Sequence, residues 1–230
     1  MITSNIEVTL IDSMGTDLSV VNAARVSFDK ESEFANVWDK SLKAPDKKLI
    51  NYLAEHKHLS PFNHTFISFR VKAPIFVSRQ LVKHEYMPWN EFSRRYVNSE
   101  PEFYIPNQWR AKAENVKQGS SDEVIDILIE HGTSGKNGTE NPFDDSVEIA
   151  LETYNYLLQK GVCAEQARMV LPQNTMTEWI WSGTLGAVAK MLRLRLDPHT
   201  QYETRIVAEK IRDIVQPLFP VSLEALLKIK

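Results

Sequence analysis

The sequence predicts one domain of mixed α/β type, in which strands and helices share a core. Two segments, 6–10 and 64–73, alternate apolar and polar residues, which is the pattern of a half-buried strand. Two longer segments, 145–159 and 204–216, carry apolar residues at the three- and four-residue spacing of an amphipathic helix. Neither an internal repeat nor a shift in composition divides the 230 residues, so we expect a single domain over residues 1–230.

The first third of the chain is predicted to alternate between strands and helices. Proline favours the first turn of a helix, because the N–H that it lacks has no partner there in any case. In order, the predicted elements are a strand over 6–11, a short helix or turn over 17–28, a helix from Pro45 to near His56, and a strand over 64–73 with Ile67, Phe69 and Val71 on one face.

A helix is predicted over 74–88, because one proline stands at its start and a second proline ends it. Gln80, Lys83 and His84 are three and four residues apart and therefore share a face of this helix. Residues 90–93 are predicted to be a loop, because their short polar side chains can bond nearby backbone groups.

The second half of the chain is predicted to be mainly helical, with proline and glycine marking the breaks. Residues 132–142 are rich in Gly, Asn, Ser and Thr, and we expect a mobile surface loop there. This loop lacks the strand and the Gly-Lys-Ser/Thr ending of a phosphate-binding loop. The predicted helices span 121–131, 145–159, 165–171, 179–196 and 204–216.

Composition and charge exclude several classes of protein. The formal charge of −3 argues against binding of a nucleic-acid polymer, which needs an excess of basic surface. No stretch reaches the roughly 20 apolar residues of a membrane span, and the N-terminus lacks the pattern of a signal peptide, so we expect a soluble, cytoplasmic protein. The single cysteine, Cys163, excludes an internal disulfide, and we expect it to be a packed residue rather than a catalyst. His58 and His64 have no third ligand at a useful spacing, so no metal site is predicted.

Residues 79–96 concentrate groups that suit chemistry rather than packing. Cations and an imidazole are interleaved there with aromatic and aliphatic residues, which indicates that the polar groups are partly enclosed. A guanidinium binds phosphate through two parallel hydrogen bonds, so this segment is suited to a phosphorylated ligand. The alternative is a solvated helix with incidental charges. The polar groups concerned are Arg79, Gln80, Lys83, His84, Glu85, Asn90, Glu91, Ser93, Arg94 and Arg95.

Two further arginines, Arg168 and Arg195, lie on largely apolar segments, where an unpaired charge is costly. Either a carboxylate or an anionic ligand should therefore neutralise them. Glu165 and Asp197 are the candidate carboxylates.

The run Lys83-His84-Glu85, followed by seven residues, Ser93 and then Arg95, resembles the signature of the flavin-dependent thymidylate synthases, in which Arg-His-Arg is followed by seven residues and a serine. The resemblance extends from Asn22-Ala23-Ala24-Arg25-Val26-Ser27-Phe28 to Leu194-Arg195. Lys83 and Glu85 depart from it, because both stand where the family has arginines. A lysine keeps the charge and loses the planar fork, whereas Glu85 reverses a charge near the flavin. We therefore expect either weaker flavin binding or a compensating cation, for which Lys190 is a candidate.

The resemblance implies a fold, an assembly and a reaction. Family members have helices around a mostly antiparallel central sheet, and they form homotetramers that share each active site between subunits. Their reaction converts dUMP to dTMP, with methylenetetrahydrofolate as carbon donor and FAD, reduced by NADPH, as hydride source. An arginine beside the uracil ring favours its ionisation, which is an electrostatic effect of the oxyanion-hole type, so no protein nucleophile is needed.

Matched residue by residue, the resemblance assigns roles to three groups of side chains. Arg195 would be the catalytic arginine. The residues that would hold dUMP are Gln80, Lys83, Glu91, Phe92, Ser93, Arg94, Arg95 and Arg168, with the backbone assisting at Phe92 and Arg94. The residues that would face FAD are Ser60, Lys83, His84, Glu85, Glu91, Thr184 and Lys190.

Three other functions remain open. A relative that methylates or hydroxymethylates the pyrimidine of dUMP or dCMP would keep the class of enzyme and change the substrate or product. A flavin- or nucleotide-binding protein without turnover would keep the site and lack the reaction. An RNA-binding module that uses residues 79–95 agrees least with the negative charge of the whole chain.

Overall fold

Helices and strands follow one another along the chain in a computed structural model that describes residues 1–97, 99–114, 119–130 and 139–229. The strands are β1 (Ile2–Thr3), β2 (Glu7–Met14), β3 (Phe66–Pro74), β4 (Trp89–Glu91), β5 (Glu102–Phe103), β6 (Trp109–Lys112), β7 (Ser120–Ile125), β8 (Ile129–Glu130), β9 (Thr139–Glu140) and β10 (Met176–Thr184). The helices are α1 (Asp17–Arg25), α2 (Ala44–Glu55), α3 (Ile75–Leu81), α4 (Pro142–Gln159), α5 (Ala164–Ala167), α6 (Leu185–Arg195), α7 (Tyr202–Leu218) and α8 (Pro220–Leu227). Short 3₁₀ segments lie at Val26–Phe28, Ser60–His64 and Arg168–Val170.

An antiparallel sheet with the strand order β2-β3-β10-β4 forms the centre of the fold. Alternate residues of each strand point to one face, so β3 buries Ile67, Phe69 and Val71 together, as predicted. The main apolar core joins this face to helices α1, α2, α6, α7 and α8. The predicted α/β class with a mostly antiparallel sheet is thereby confirmed. Among the described helices, none combines the length and the apolar composition that crossing a membrane requires.

The most bulky part of this core is contributed by β10, whose Trp179 and Trp181 are almost fully buried. Replacing Trp181 by alanine is expected to lower the free energy of unfolding by about 3–5 kcal/mol, because the cavity cannot collapse completely. Ile180→Ala is the matched control, since Ile180 lies on the other, partly exposed face of the same strand. Urea unfolding at fixed protein concentration measures both, and equal losses would contradict the packing described here.

Several predicted elements are confirmed with small changes of boundary. The predicted strand over 6–11 is β2, and the helix from Pro45 is α2, which begins at Ala44. The helix over 145–159 is α4, which already begins at Pro142, and the helix over 204–216 is α7. The short helix over 165–171 consists of α5 and the 3₁₀ turn that follows it.

The helix predicted over 179–196 is wrong in its first part, because residues up to Thr184 belong to β10. Tryptophan, isoleucine and threonine in this part favour a strand. Helix α6 begins only at Leu185, where the Thr184 hydroxyl accepts a hydrogen bond from the backbone N–H of Ala187 (3.2 Å) and caps the helix.

The helix predicted over 121–131 is also wrong. The structure has β7 there, paired with β6, and then β8, paired with β9. Val124, Ile125 and Ile127 are β-branched, and such side chains lose rotamer freedom in a helix but suit a strand. Of the loop predicted over 132–142, residues 132–138 lie outside the described residues, whereas 139–140 form β9.

Residues 74–93 differ from the predicted helix and loop at two points. Helix α3 ends at Leu81 rather than near residue 88. Beyond it the N–H of His84 donates to the carbonyl of Leu81 (3.1 Å) in a tighter turn, and the carbonyl of Gln80 accepts from Arg195 Nη2 (2.9 Å). The loop predicted over 90–93 is wrong in its first two residues. Asn90 and Glu91 belong to β4, which pairs with β10.

The two ends of the chain are joined by a buried carboxylate. Asp17, at the start of α1, accepts hydrogen bonds from the backbone N–H groups of Val221 and Ser222 (both 2.9 Å). These N–H groups lie in the first turn of α8, a helix that the sequence did not predict, and the carboxylate acts there as a cap.

Candidate functional site

The segment around α3 lines two clefts, one on each of two faces of the helix. The first, the Arg195 cleft, has a volume of about 980 Å³, and its lining includes Gln80, Lys83, Arg110, Arg195, Gln201 and Glu203. The second, the Arg168 cleft, has a volume of about 520 Å³, and its lining includes Arg79, Glu91, Phe92, Ser93, Arg95 and Arg168. The structure therefore brings both distant arginines to the predicted segment, but to different faces of it.

Arg195 is fixed by two acceptors from the end of α3. Its Nε donates to His84 Nε2 (3.0 Å), and its Nη2 donates to the backbone carbonyl of Gln80 (2.9 Å). A guanidinium has five N–H donors, so the bonds that Arg195 makes with the described residues leave Nη1 and part of Nη2 for a ligand. The predicted carboxylate, Asp197, is not its partner and instead accepts from His199 (2.8 and 3.0 Å).

His84 lies between cations and is partly buried. Burial lowers its pKa to about 4, and the positive charges of Arg195 and Lys190 act in the same direction. At neutral pH the imidazole is therefore uncharged, and because it accepts from Arg195 at Nε2, its own proton is on Nδ1.

Gln80 is held at both ends of its amide. Thr204 Oγ1 donates to its Oε1 (3.2 Å), and its Nε2 donates to Gln201 Oε1. Gln201 Nε2 in turn donates to the buried Glu203 (3.2 Å), which forms an ion pair with Arg110 (2.8 Å). The sequence reasoning missed this chain, because the Arg110–Glu203 pair joins residues 93 positions apart and no local pattern marks it.

In the Arg168 cleft, several hydrogen-bonding groups converge from three elements. Arg168 is exposed in its 3₁₀ turn, and its Nε donates to the backbone carbonyl of Glu165 (3.3 Å) rather than to the carboxylate considered above. Ser93 Oγ accepts a hydrogen bond from Arg95 Nε (3.2 Å), so the two side chains lie side by side in the lining of the cleft. A serine hydroxyl and two guanidinium groups suit a phosphate.

Glu91 enters the same cleft with both carboxylate oxygens engaged. Trp89 Nε1 donates to one oxygen (3.1 Å), and Thr177 Oγ1 donates to the other (2.7 Å). Arg94, by contrast, donates from Nη1 to the backbone carbonyl of Ser99 (2.9 Å) and lies over the Phe92 ring at 5.3 Å. The side chain of Arg94 is therefore used within the loop, and it does not line the cleft.

Two of the residues predicted to face FAD, Thr184 and Lys190, belong to α6 and its N-terminal cap. Thr184 caps this helix and donates to Asn63 Oδ1 (2.8 Å), which joins the helix to the 3₁₀ segment that begins at Ser60. A Cβ atom at Gly186 would collide with Asn63 Oδ1, so glycine allows this close approach. Further along α6, Lys190 Nζ lies 3.0 Å from Glu85 Oε2. Lys190, the candidate for a compensating cation, therefore forms an ion pair with Glu85.

Cys163 is exposed and stands immediately before α5, so the prediction that it is a packed residue is wrong. The physical reason is its place in the chain, because it occupies the capping position ahead of a four-residue helix rather than an apolar face of an element. In the described ranges, no group of three or more His, Cys, Asp or Glu side chains is arranged to hold a metal ion.

Comparisons with known proteins match this chain to one family of enzymes. The family model described as "Thymidylate synthase complementing protein" matches residues 9–221. The flavin-dependent thymidylate synthase of Thermosipho africanus is 38% identical over 221 residues, which is 95% of this chain and 90% of that protein. An enzyme of the same name from Thermus thermophilus is 38% identical over 218 residues, or 95% of this chain and 74% of that protein.

A solved structure gives the same relationship. The UMP/dUMP methylase PolB from Streptomyces cacaoi, bound with 5-Br dUMP, superposes on this chain with a TM-score of 0.80 at 31% identity. The superposition covers 99% of this chain and 97% of the PolB chain. The structure of the same methylase bound with 5-Br UMP superposes with a TM-score of 0.72 at 30% identity. This superposition covers 97% of this chain and 94% of the PolB chain. Sequence and fold together place this chain in the family of flavin-dependent thymidylate synthases.

Proposed function

We propose that this protein converts dUMP to dTMP, with methylenetetrahydrofolate as carbon donor and with FAD that NADPH reduces. Family membership supports the reaction. The observation that carries the proposal for this chain is Arg195, a guanidinium held at two points with free donors facing a cleft that also contains Lys83.

Arg195 would act on the uracil ring. Attack on an electrophilic carbon requires electron density at C5 of the ring, and this density grows as negative charge develops on N3 and the carbonyl oxygens. A preorganised guanidinium stabilises that charge without having to reorient during the reaction. No cysteine is needed in this scheme, which agrees with the position of Cys163 outside both clefts.

The phosphate of dUMP would be held by Arg168, Arg95 and Ser93. The two arginines supply planar donor forks, and the serine hydroxyl can donate once Arg95 has fixed it. Gln80 and Lys83 would contact the nucleotide from the other cleft. Lysine at position 83 offers a point charge in place of a fork, so we expect it to contribute attraction more than orientation.

The two clefts suggest that one complete site needs two subunits. Each cleft holds only part of the dUMP-binding set, and the two parts lie on different faces of α3. A homotetramer in which the Arg195 cleft of one subunit meets the Arg168 cleft of the next would combine them. Analytical ultracentrifugation should then give a species of four 26.4 kDa chains.

The residues along α6 fit FAD. Ser60 and Thr184 supply hydroxyl groups, Lys190 supplies a cation, and the N-terminus of this eleven-residue helix favours an anionic group such as the diphosphate. Bound FAD supplies the hydride that completes the methyl group. His84 and Glu85 would line the same region, with Glu85 neutralised by Lys190, whereas Glu91 lines the Arg168 cleft.

Replacing Glu85 by arginine is expected to tighten FAD binding about three- to tenfold, because the change removes a negative charge and releases Lys190 toward the diphosphate. Fluorescence titration of the apoprotein with FAD measures the dissociation constant. Glu85→Gln is the matched control and should give a smaller gain, since it removes a charge without adding one. Unchanged or weaker binding in Glu85→Arg would contradict this role for the ion pair.

The function itself is tested with dUMP labelled with tritium at C5. Together with methylenetetrahydrofolate, NADPH and FAD, the protein should release tritium and form a product with the mass of dTMP. UMP is a second candidate substrate, because the similar PolB structures are of a UMP/dUMP methylase. A competition assay with equal concentrations of dUMP and UMP decides between them, and absence of tritium release with both nucleotides would contradict the proposal.

A further inference from the structure

We propose that His84 is a positioning residue for Arg195: its imidazole accepts the Nε–H of Arg195 and fixes the plane in which that guanidinium faces the nucleotide. This inference rests on the proposed function, because it requires a nucleotide in the Arg195 cleft. It assigns to His84 a task within the protein that differs from the contact with FAD implied by the resemblance.

The geometry restrains the guanidinium at two edges. His84 Nε2 lies 3.0 Å from Nε, and the carbonyl of Gln80 lies 2.9 Å from Nη2. A planar group held by hydrogen bonds at two of its nitrogens cannot rotate freely about its own long axis. Nη1 therefore keeps one direction relative to the cleft. The Gln80 anchor is a backbone carbonyl of helix α3, so it is held by the helix itself, and His84 supplies the second anchor.

The surroundings of His84 keep it in the form that can accept a hydrogen bond. Arg195 and Lys190 face it from α6, and the Trp181 ring of β10 lies 6.2 Å away, centre to centre. The neighbouring Glu85 could favour a protonated imidazole, but its carboxylate is paired with Lys190. The burial and the cations lower the pKa of His84 to about 4, so the Nε2 lone pair is free at neutral pH.

Two substitutions separate acceptance of the hydrogen bond from the other properties of His84. His84→Gln places an amide oxygen near the position of Nε2, whereas His84→Phe keeps a ring of similar shape without an acceptor. We expect His84→Phe to lower kcat for tritium release about 10- to 100-fold, as misoriented catalytic groups do. The KM for dUMP and the FAD content should change less than about threefold. His84→Gln should restore kcat to within about fivefold of the unmodified protein.

A double-mutant cycle shows whether His84 acts through Arg195. Lysine at position 195 has no Nε–H at the place of the guanidinium, so His84→Phe should add less than about a threefold loss in the Arg195→Lys background. Equal losses in both backgrounds would overturn the inference. So would a His84→Gln variant as impaired as His84→Phe, or a loss of FAD content that parallels the loss of kcat.

A measurement without substrate separates this inference from the proposed function. In protein labelled with ¹⁵N at histidine, NMR should show His84 with a bare Nε2 and a protonated Nδ1 at pH 7, and Arg195→Lys should change its Nε2 resonance. A protonated Nε2 would overturn the inference even if the enzyme turns over dUMP. A protein inactive toward dUMP would contradict the proposed function, whereas the NMR result would still decide the contact. Circular dichroism checks the fold, and His84→Asn, which is too short to reach Arg195, replaces His84→Phe if that variant does not fold.

Discussion

Replacing Arg195 by alanine is expected to lower kcat for dTMP formation by about 10²–10³-fold, the loss typical of a preorganised donor removed from a developing anion. Its donors face the cleft, and two contacts hold it there, so water cannot replace it with the same orientation. The tritium-release assay at saturating dUMP measures the effect.

Arg212→Ala is the matched control for this substitution. Arg212 is a partly exposed arginine of α7 that pairs with Asp213 (2.8 Å), and it lines neither cleft. Its removal should change kcat by less than about twofold, as surface substitutions away from special features do. A loss of less than tenfold in Arg195→Ala would mean that another group stabilises the uracil anion.

Mixing two inactive variants is expected to restore activity if subunits share sites. Arg168→Ala and Arg195→Ala damage different clefts, so a mixed oligomer can contain sites with both halves intact. Random assembly of equal amounts gives about a quarter of such sites, because each half is intact in half of the subunits. Co-expression with two affinity tags isolates the mixed species, whose rate is compared with that of each variant alone.

The control for this mixture pairs two variants of one cleft. Lys83→Ala and Arg195→Ala both damage the Arg195 cleft, so every subunit of their mixed oligomers carries a damaged copy of it. We expect no recovery there. Recovery in neither mixture would indicate that Arg168 and Arg195 serve the same nucleotide from one chain.

The elements that could be predicted from the sequence are those whose pattern is local. β3 alternates strictly, and α4 repeats apolar residues at helical spacing, because each buries one face against the core. β4 could not be predicted, since its three residues become a strand only by pairing with β10. The contact between the end of α3 and Arg195 could not be predicted either, because Arg195 comes 115 residues after its acceptor, Gln80, in the chain.

The candidate site likewise has a part that could be predicted from local motifs and a part that depends on contacts between distant residues. Short motifs and their resemblance to a family identified Ser93, Arg95, Arg168 and Arg195 as partners of one ligand. Their separation into two clefts was not visible, because it follows from which faces of α3 the later elements cover. The contact between His84 and Arg195 joins residues 111 positions apart, so only the folded chain reveals it.

The buried carboxylate of Asp17 has a consequence for how this protein is made in the cell. Its partners, the N–H groups of Val221 and Ser222 at the start of α8, leave the ribosome 204 and 205 residues after it. Until they emerge, Asp17 cannot be buried against its partners, and the nascent chain exposes the apolar faces that α8 covers. Folding should therefore finish only after residues 221 and 222 have left the ribosome, and chains that stop short of residue 221 should become substrates for chaperones and proteases rather than active subunits.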